Sequence, residues 1–137
     1  MAIGKMSSAR EDRAALSLIV TSHAVQHVYV AGLAVTYPLV VSSFHISYGV
    51  LGLVLTVAGL VGGLLQATAG FVRHVSARVI LAVQNVGLGA ACAMAALVPG
   101  FALFGLARCI GALVSWPQHP VGSAYLAERF PARRGAV

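Results

Sequence analysis

Between Arg13 and Arg73 the chain carries no Asp, Glu, Lys or Arg. A water-soluble domain needs such side chains over its surface, whereas an uncharged stretch of this length divides into two helices of about 20 residues, each able to cross a bilayer. The rest of the chain agrees. Mean hydropathy is +0.91 and 9% of residues are charged, against about 25% in soluble proteins. Four apolar segments, at about 14–41, 48–72, 79–97 and 101–126, account for most of the 137 residues and predict an all-α membrane protein with four transmembrane helices. Residues 1–13 are expected as an N-terminal tail and 127–137 as a link beyond the fourth span.

The net charge of +6 and the pI of about 10.2 would suit nucleic acid, but the placement of the charges argues against it. Lys5, Arg10 and Arg13 precede the first segment, Arg73 and Arg78 separate the second from the third, and Arg129, Arg133 and Arg134 follow the fourth. The other two connections, at 42–47 and 98–100, hold no Lys or Arg. Basic residues gather on the cytoplasmic side of a membrane, so both termini are expected to be cytoplasmic, with the chain multi-pass in the inner (plasma) membrane. The bilayer, not nucleic acid, is the expected partner. A basic start before an apolar run also resembles a signal peptide. Here, however, His23, Gln26 and His27 interrupt the run and no small-residue cleavage site closes it, so it is expected to stay as a span. Cys92 and Cys109 lie in apolar segments and are expected as small buried hydrophobes.

Polar residues within the spans fall into patterns. In the first, His23, Gln26, His27, Val30 and Tyr37 recur at helical spacing and share a face. A polar face on a spanning helix points to protein or water, so it is expected to line a cavity; for any one residue, a plain interhelical hydrogen bond explains it as well. Tyr37 and Pro38 also suit an interface anchor and a loose helix end. The second span carries Gly49, Gly52, Thr56, Gly59, Gly63, Gln66 and Gly70 at intervals of three and four, a small-residue seam predicted to pack against a neighbouring helix. In the third, Gln84 and Asn85 are adjacent and cannot share a face, so one of them is expected to bond a neighbour.

The fourth span holds the only arginine inside an apolar segment, Arg108, with Gly111, Ser115, Gln118, His119 and Gly122 on one broad face. A charge at membrane depth costs about 2.5–3.5 kcal/mol on the most lenient scale and requires a partner or water. Pro117 and Pro120 remove two backbone donors and predict a kink or break near Gln118 and His119. The first span runs outward and the fourth inward. His23 and His27 should therefore share a depth with Gln118 and His119, and Arg108 should lie nearer Tyr37.

Two local motifs resemble the major facilitator superfamily of transporters. The inner loop from Gly70 to Arg78 is similar to that family's G-x-L-A-D-R-x-G-R-K signature, with Gly70 at its first glycine, Val72 at its aliphatic position and Arg78 at a basic one. His74 stands where the signature has aspartate and Ala77 where it has its second glycine. Arg108 followed by Gly111 resembles the fourth-helix arginine and glycine pattern, with the glycine one residue early, and "AERFPARRG" looks like the link to a fifth helix. The first-helix His and Gln pattern with Gln118-His119-Pro120 looks like the fosmidomycin-resistance branch of exporters. The resemblance implies the first four helices of a six-helix half, present as an incomplete N-terminal portion whose partners are the remaining helices of the full-length transporter.

It further implies transport of a small-molecule substrate by a secondary carrier, with proton-coupled efflux as one mode open to it. His23, Gln26, His27, Tyr37, Arg108, Gln118 and His119 would then form the substrate or proton pathway; Gly70, Arg73, His74 and Arg78 the gating loop; and Gly52, Gly59 and Gly63 the helix packing. Histidine exchanges protons near neutral pH, which suits such a path. Two other classes compete: a haem-binding electron-transfer protein with His23 or His27 and His119 as axial ligands, and an autonomous four-helix oligomeric exporter. The small multidrug exporters use a membrane-embedded glutamate, and no carboxylate lies between Asp12 and Glu128. No acid, nucleophile and base converge in the pattern, so no enzyme, cofactor or resident metal is expected.

Overall fold

A computed structural model describes residues 2–72 and 74–130, with side chains from residue 9 onward except at 70 and 72, and among these residues every regular element is a helix. They are α1 (Ala2–Ser43), α2 (Tyr48–Gln66), α3 (Ala77–Leu97), α4 (Phe101–Ser115) and α5 (Gln118–Arg129), with a 3-10 turn at Ala69–Val72. Among the described residues three stretches are long and apolar enough to cross a membrane: Ala9–Ser43 within α1, α2 and α3.

The boundaries depart from the sequence reading for identifiable reasons. Residues expected as a tail before 14 continue α1 back to Ala2, and Arg129 fastens that extension by bonding Asp12 Oδ1 at 2.8 Å and Glu11 Oε2 at 3.4 Å. Desolvation, the largest single influence on Arg129, lowers its pKa, but the Asp12 charge and hydrogen bond, with Tyr125 and Glu11, outweigh it and leave the pKa raised. The second span stops at Gln66, where Ala67 caps it, and the segment expected to reach 72 finishes as the 3-10 turn. Arg78 lies in the first turn of α3, which starts at a Ser76 N-cap whose hydroxyl accepts from Val79 N, so the connection between α2 and α3 spans residues 67–76, starting and ending earlier than the expected 73–78 and running longer.

The expected fourth span is two helices. α4 has 15 residues, about 22 Å, short of the roughly 30 Å of a hydrocarbon core. Pro117 cannot donate to the carbonyl four residues back, and the regular ladder breaks at Trp116 and Pro117. Both residues keep right-handed helical angles (φ −57°, ψ −31° and φ −71°, ψ −20°), so the backbone bends there without reversing.

The α1–α2 turn is a Schellman closure. Ile46 N donates to Val41 O at 3.2 Å and His45 N to Ser42 O at 3.4 Å, with His45 in the left-handed region at φ 51°, where glycine is usual.

α4 packs against α2 and α3, while α1 touches α3 and α5. On α1 the buried line is Ala15, Ile19, Ser22, Tyr29 and Leu33, with Gln26 half-buried on the same line. Its members recur at alternating intervals of four and three, the rhythm of a helix-packing seam. The layers stack along the axis. An inner apolar cluster of Ile19, Leu81 and Leu126 joins α1, α3 and α5, and an outer one of Tyr29, Leu33 and Leu88, with Tyr37 and Val114 against it, joins α1, α3 and α4. A buried polar layer of Ser22, Gln84 and Gln118 belongs to the same three-helix contact.

Outside this contact the helices present large apolar side chains, among them Leu53 (66% exposed), Leu64 (73%) and Val86 (75%). Water would penalise such a surface at about 25 cal/mol per Å2, whereas lipid tails or further apolar helices accept it.

Candidate functional site

The site is built where the broken helix meets α1. Breaking a helix frees carbonyls, and in a low-dielectric interior each needs a donor. Gln26 Nε2 donates to Ser115 O at 3.3 Å and the Ser115 hydroxyl donates to Ala112 O at 3.2 Å, so two carbonyls at the end of α4 are met by side chains. Gln26, expected on the pathway face, thus serves the break.

Gln118, also expected to line the pathway, is 2% exposed and points into the bundle. Its Oε1 accepts from Ser22 Oγ at 2.7 Å and from Gln84 Nε2 at 2.8 Å, and its Nε2 donates to Ile19 O at 3.4 Å. Ser22 Oγ also lies 3.2 Å from Asn85 Oδ1, but its single hydroxyl proton goes to the nearer acceptor. Of the two adjacent amides in α3, Gln84 is the more deeply buried and Asn85 reaches the edge of the same network. This network pins α5 to α1 and α3 and so fixes the residue after Gln118.

That residue, His119, stands beside His23, with ring centroids 5.2 Å apart and planes at 79°. His23 and His27, one turn apart on α1, have centroids 4.5 Å apart and Nε2 atoms 3.0 Å apart. The three imidazoles expected at one depth therefore lie together. His23 is half-buried, His27 and His119 are exposed, and the cluster sits at the edge of the buried line of α1.

Further along α1 toward its C-terminus, Arg108 Nη1 donates to Tyr29 Oη at 3.0 Å, and the guanidinium carbon lies 5.4 Å from the Tyr29 ring centroid. Tyr29, six residues and about 9 Å beyond His23, was not singled out by the polar pattern. The signal was its place on the four-and-three rhythm of α1, and the reason for Gly111 follows from it. A Cβ on Gly111 would overlap the Tyr29 hydroxyl and come within 3.0 Å of its Cζ. Arg108 Nε is buried without a partner among the described residues, as are Gln26 Oε1 and Gln84 Oε1. Tyr37 packs on the outer cluster.

Tyr29 also borders a cavity of about 670 Å3 between α1 and α3, walled by Leu33, Thr36, Leu88, Cys92 and Phe104. A second cavity of about 480 Å3 lies at the inner end between the start of α3 and α5, beside Ser76 and Glu128. Of the expected gating loop, Gly70 lies in the 3-10 turn, His74 and Arg78 are exposed, and Arg73 lies outside the described residues.

The glycine seam is placed differently from its expected role. A Cβ at Gly52, Gly59 or Gly63 would meet nothing within 4 Å. α2 instead approaches α4 through Gly62, whose Cβ position is 3.4 Å from Ala112 O, and through Val54, which lies 3.4 Å from a Cβ on Gly105. α3 meets α4 at Gly87, where a Cβ would come within 3.0 Å of Val114. Leu51 and Ala58 mark the buried face of α2, and the seam lies about 100° around the helix from it.

No family profile, curated protein or solved structure matches the chain.

Proposed function

We propose that the chain crosses the inner membrane four times, with both termini cytoplasmic, and forms one wall of a secondary carrier of the major facilitator type that moves a small solute, with proton-coupled efflux as its mode. α4 and most of α5 together make the fourth crossing: residues 101–126 at about 1.5 Å each reach about 39 Å, enough for a kinked span. Further helices and lipid cover the outward apolar surface. The observation that carries the reading is the broken helix itself. Its break is held by Gln26 and by the Gln118 network, and it sets His119 against His23 and His27 at membrane depth. Broken helices whose polar groups face a cavity near the midplane are a recurrent device of secondary transporters, and imidazoles titrate in the range such carriers work in. Arg108, held by Tyr29, supplies a fixed positive charge on the same wall.

The test uses the full-length polypeptide in proteoliposomes with a pH-sensitive dye inside. Small solutes are screened for substrate-dependent proton movement, and Arg108→Ala and His119→Ala are then compared with the parent. The reading requires solute-dependent proton flux that falls about tenfold or more in either variant at normal insertion. Flux that is absent in the parent, or unchanged in both variants, would overturn it.

A further inference from the structure

The His23–His27 pair has a geometry that proton exchange does not require. Two helical residues four apart are neighbours, but most rotamers direct their ring nitrogens apart. Here the two Nε2 atoms converge to 3.0 Å. Two imidazoles bound to one ion at about 2.0–2.1 Å, with an angle at the metal between square and tetrahedral, have nitrogens about 2.9–3.3 Å apart. The observed spacing already lies in that window, so an ion can replace the shared proton without rearranging the helix.

We propose that His23 and His27 chelate a divalent first-row transition-metal ion, with His119 as the third donor. Neutral imidazole suits copper, nickel and zinc, and copper is the tightest of the series. Among the described residues no three His, Cys, Asp or Glu side chains already converge on one point. The α1 pair is therefore the core of the site, and His119, 5.2 Å from His23 between centroids, completes it by turning about its own side-chain bonds. His27 and His119 are exposed, which leaves an entry path and positions for water.

The spacing is that of the two histidines of a zinc hydrolase helix, but the intervening residues are Ala24, Val25 and Gln26. No carboxylate is present to activate a bound water, so the site binds an ion and catalyses nothing. It stands on imidazole geometry alone and is independent of the transport reading.

The experiment titrates the purified full chain, in detergent micelles, with Cu2+ and Zn2+ by calorimetry and reads the copper ligands by electron paramagnetic resonance. A His45→Ala/His74→Ala background removes the other two histidines. One ion per chain is expected, with nitrogen hyperfine structure and copper tighter than zinc. Loss of one arm of a chelate forfeits the intramolecular advantage of the second donor, about 100-fold. His23→Ala and His27→Ala should each weaken binding by that factor, the double variant by little more, and His119→Ala by less.

His27→Ala/Val30→His keeps the histidine count but moves the second ring about 10 Å along the helix from His23, and should behave like His27→Ala. Circular dichroism verifies that each variant keeps its helix. Unchanged affinity in the single variants or in the relocated pair, or binding that disappears in the His45→Ala/His74→Ala background, would overturn the site.

Discussion

Gly111 gives the sharpest test of how Arg108 is held. In Gly111→Ala the new methyl overlaps the Tyr29 hydroxyl, and two responses are open. If Tyr29 stays, the overpacking costs about 1–3 kcal/mol. If it moves, the hydrogen bond from Arg108 Nη1 is lost, at about 1.5–3 kcal/mol for a bond to a charged group. Either way the penalty is about 1–3 kcal/mol, offset by about 1 kcal/mol because alanine is the better helix former. The net loss is therefore up to about 2 kcal/mol. In a Tyr29→Ala background nothing is left to collide with, and the same substitution should be neutral or stabilise by up to about 1 kcal/mol. A four-variant cycle, read by reversible unfolding in mixed micelles with far-ultraviolet circular dichroism, should give a coupling of about 1–3 kcal/mol. A coupling below about 0.5 kcal/mol would refute the packing of Tyr29 between Gly111 and Arg108.

Other substitutions probe the remaining elements. Gln118→Leu strips the acceptor shared by Ser22 and Gln84 and should cost about 1–2 kcal/mol in the same unfolding assay, since interhelical hydrogen bonds in membranes average about 0.6 kcal/mol each. Gly87→Ala should destabilise by about 1 kcal/mol through Val114, while Gly63→Ala should be neutral or slightly stabilising; equal effects would contradict the placement of the two glycines. His45→Gly should stabilise by about 0.5–1 kcal/mol by relieving the left-handed conformation of the α1–α2 turn. Arg129→Ala should leave global stability nearly unchanged yet speed amide exchange around residues 9–13, where the ion pairs fasten α1.

The legible features were those with strong local physics. Pro117 and Pro120 announced the break because a missing N–H acts within one helical turn, and the uncharged stretch announced the long apolar helices because lipid accepts no surface charge. The face of α1 was less legible. His23, His27 and Tyr37 define one line and Ala15, Ile19, Ser22, Tyr29 and Leu33 another, about one residue around the helix. Polarity drew attention to the first, while packing uses the second. On such a helix apolar side chains face both lipid and protein, so hydrophobicity does not separate the sides, and the even rhythm of small and aromatic residues is the better guide.

The α2 seam misled for a related reason. Gly52, Gly59 and Gly63 form a clean repeat, but a repeat states only that a neighbour can come close, and α4 arrives over Gly62 instead. Gln118 and His119 show the remaining limit. Adjacent helical residues point about 100° apart, so one is buried in the network and the other joins the imidazoles. The partner of Arg108 came from Tyr29, a residue that in sequence resembles any interface aromatic.

The proposed carrier wall depends most on α4 and α5 making one kinked crossing that carries His119 to the depth of His23. The direct measurement is sidedness. In a Cys92→Ser/Cys109→Ser background, Gly100→Cys and Glu128→Cys are exposed to a membrane-impermeant maleimide in right-side-out vesicles. The account predicts labelling of Gly100→Cys in intact vesicles and of Glu128→Cys only after permeabilisation. Labelling of both from the same side would mean that the broken helix re-enters without crossing, and the proposed wall of the carrier would not exist.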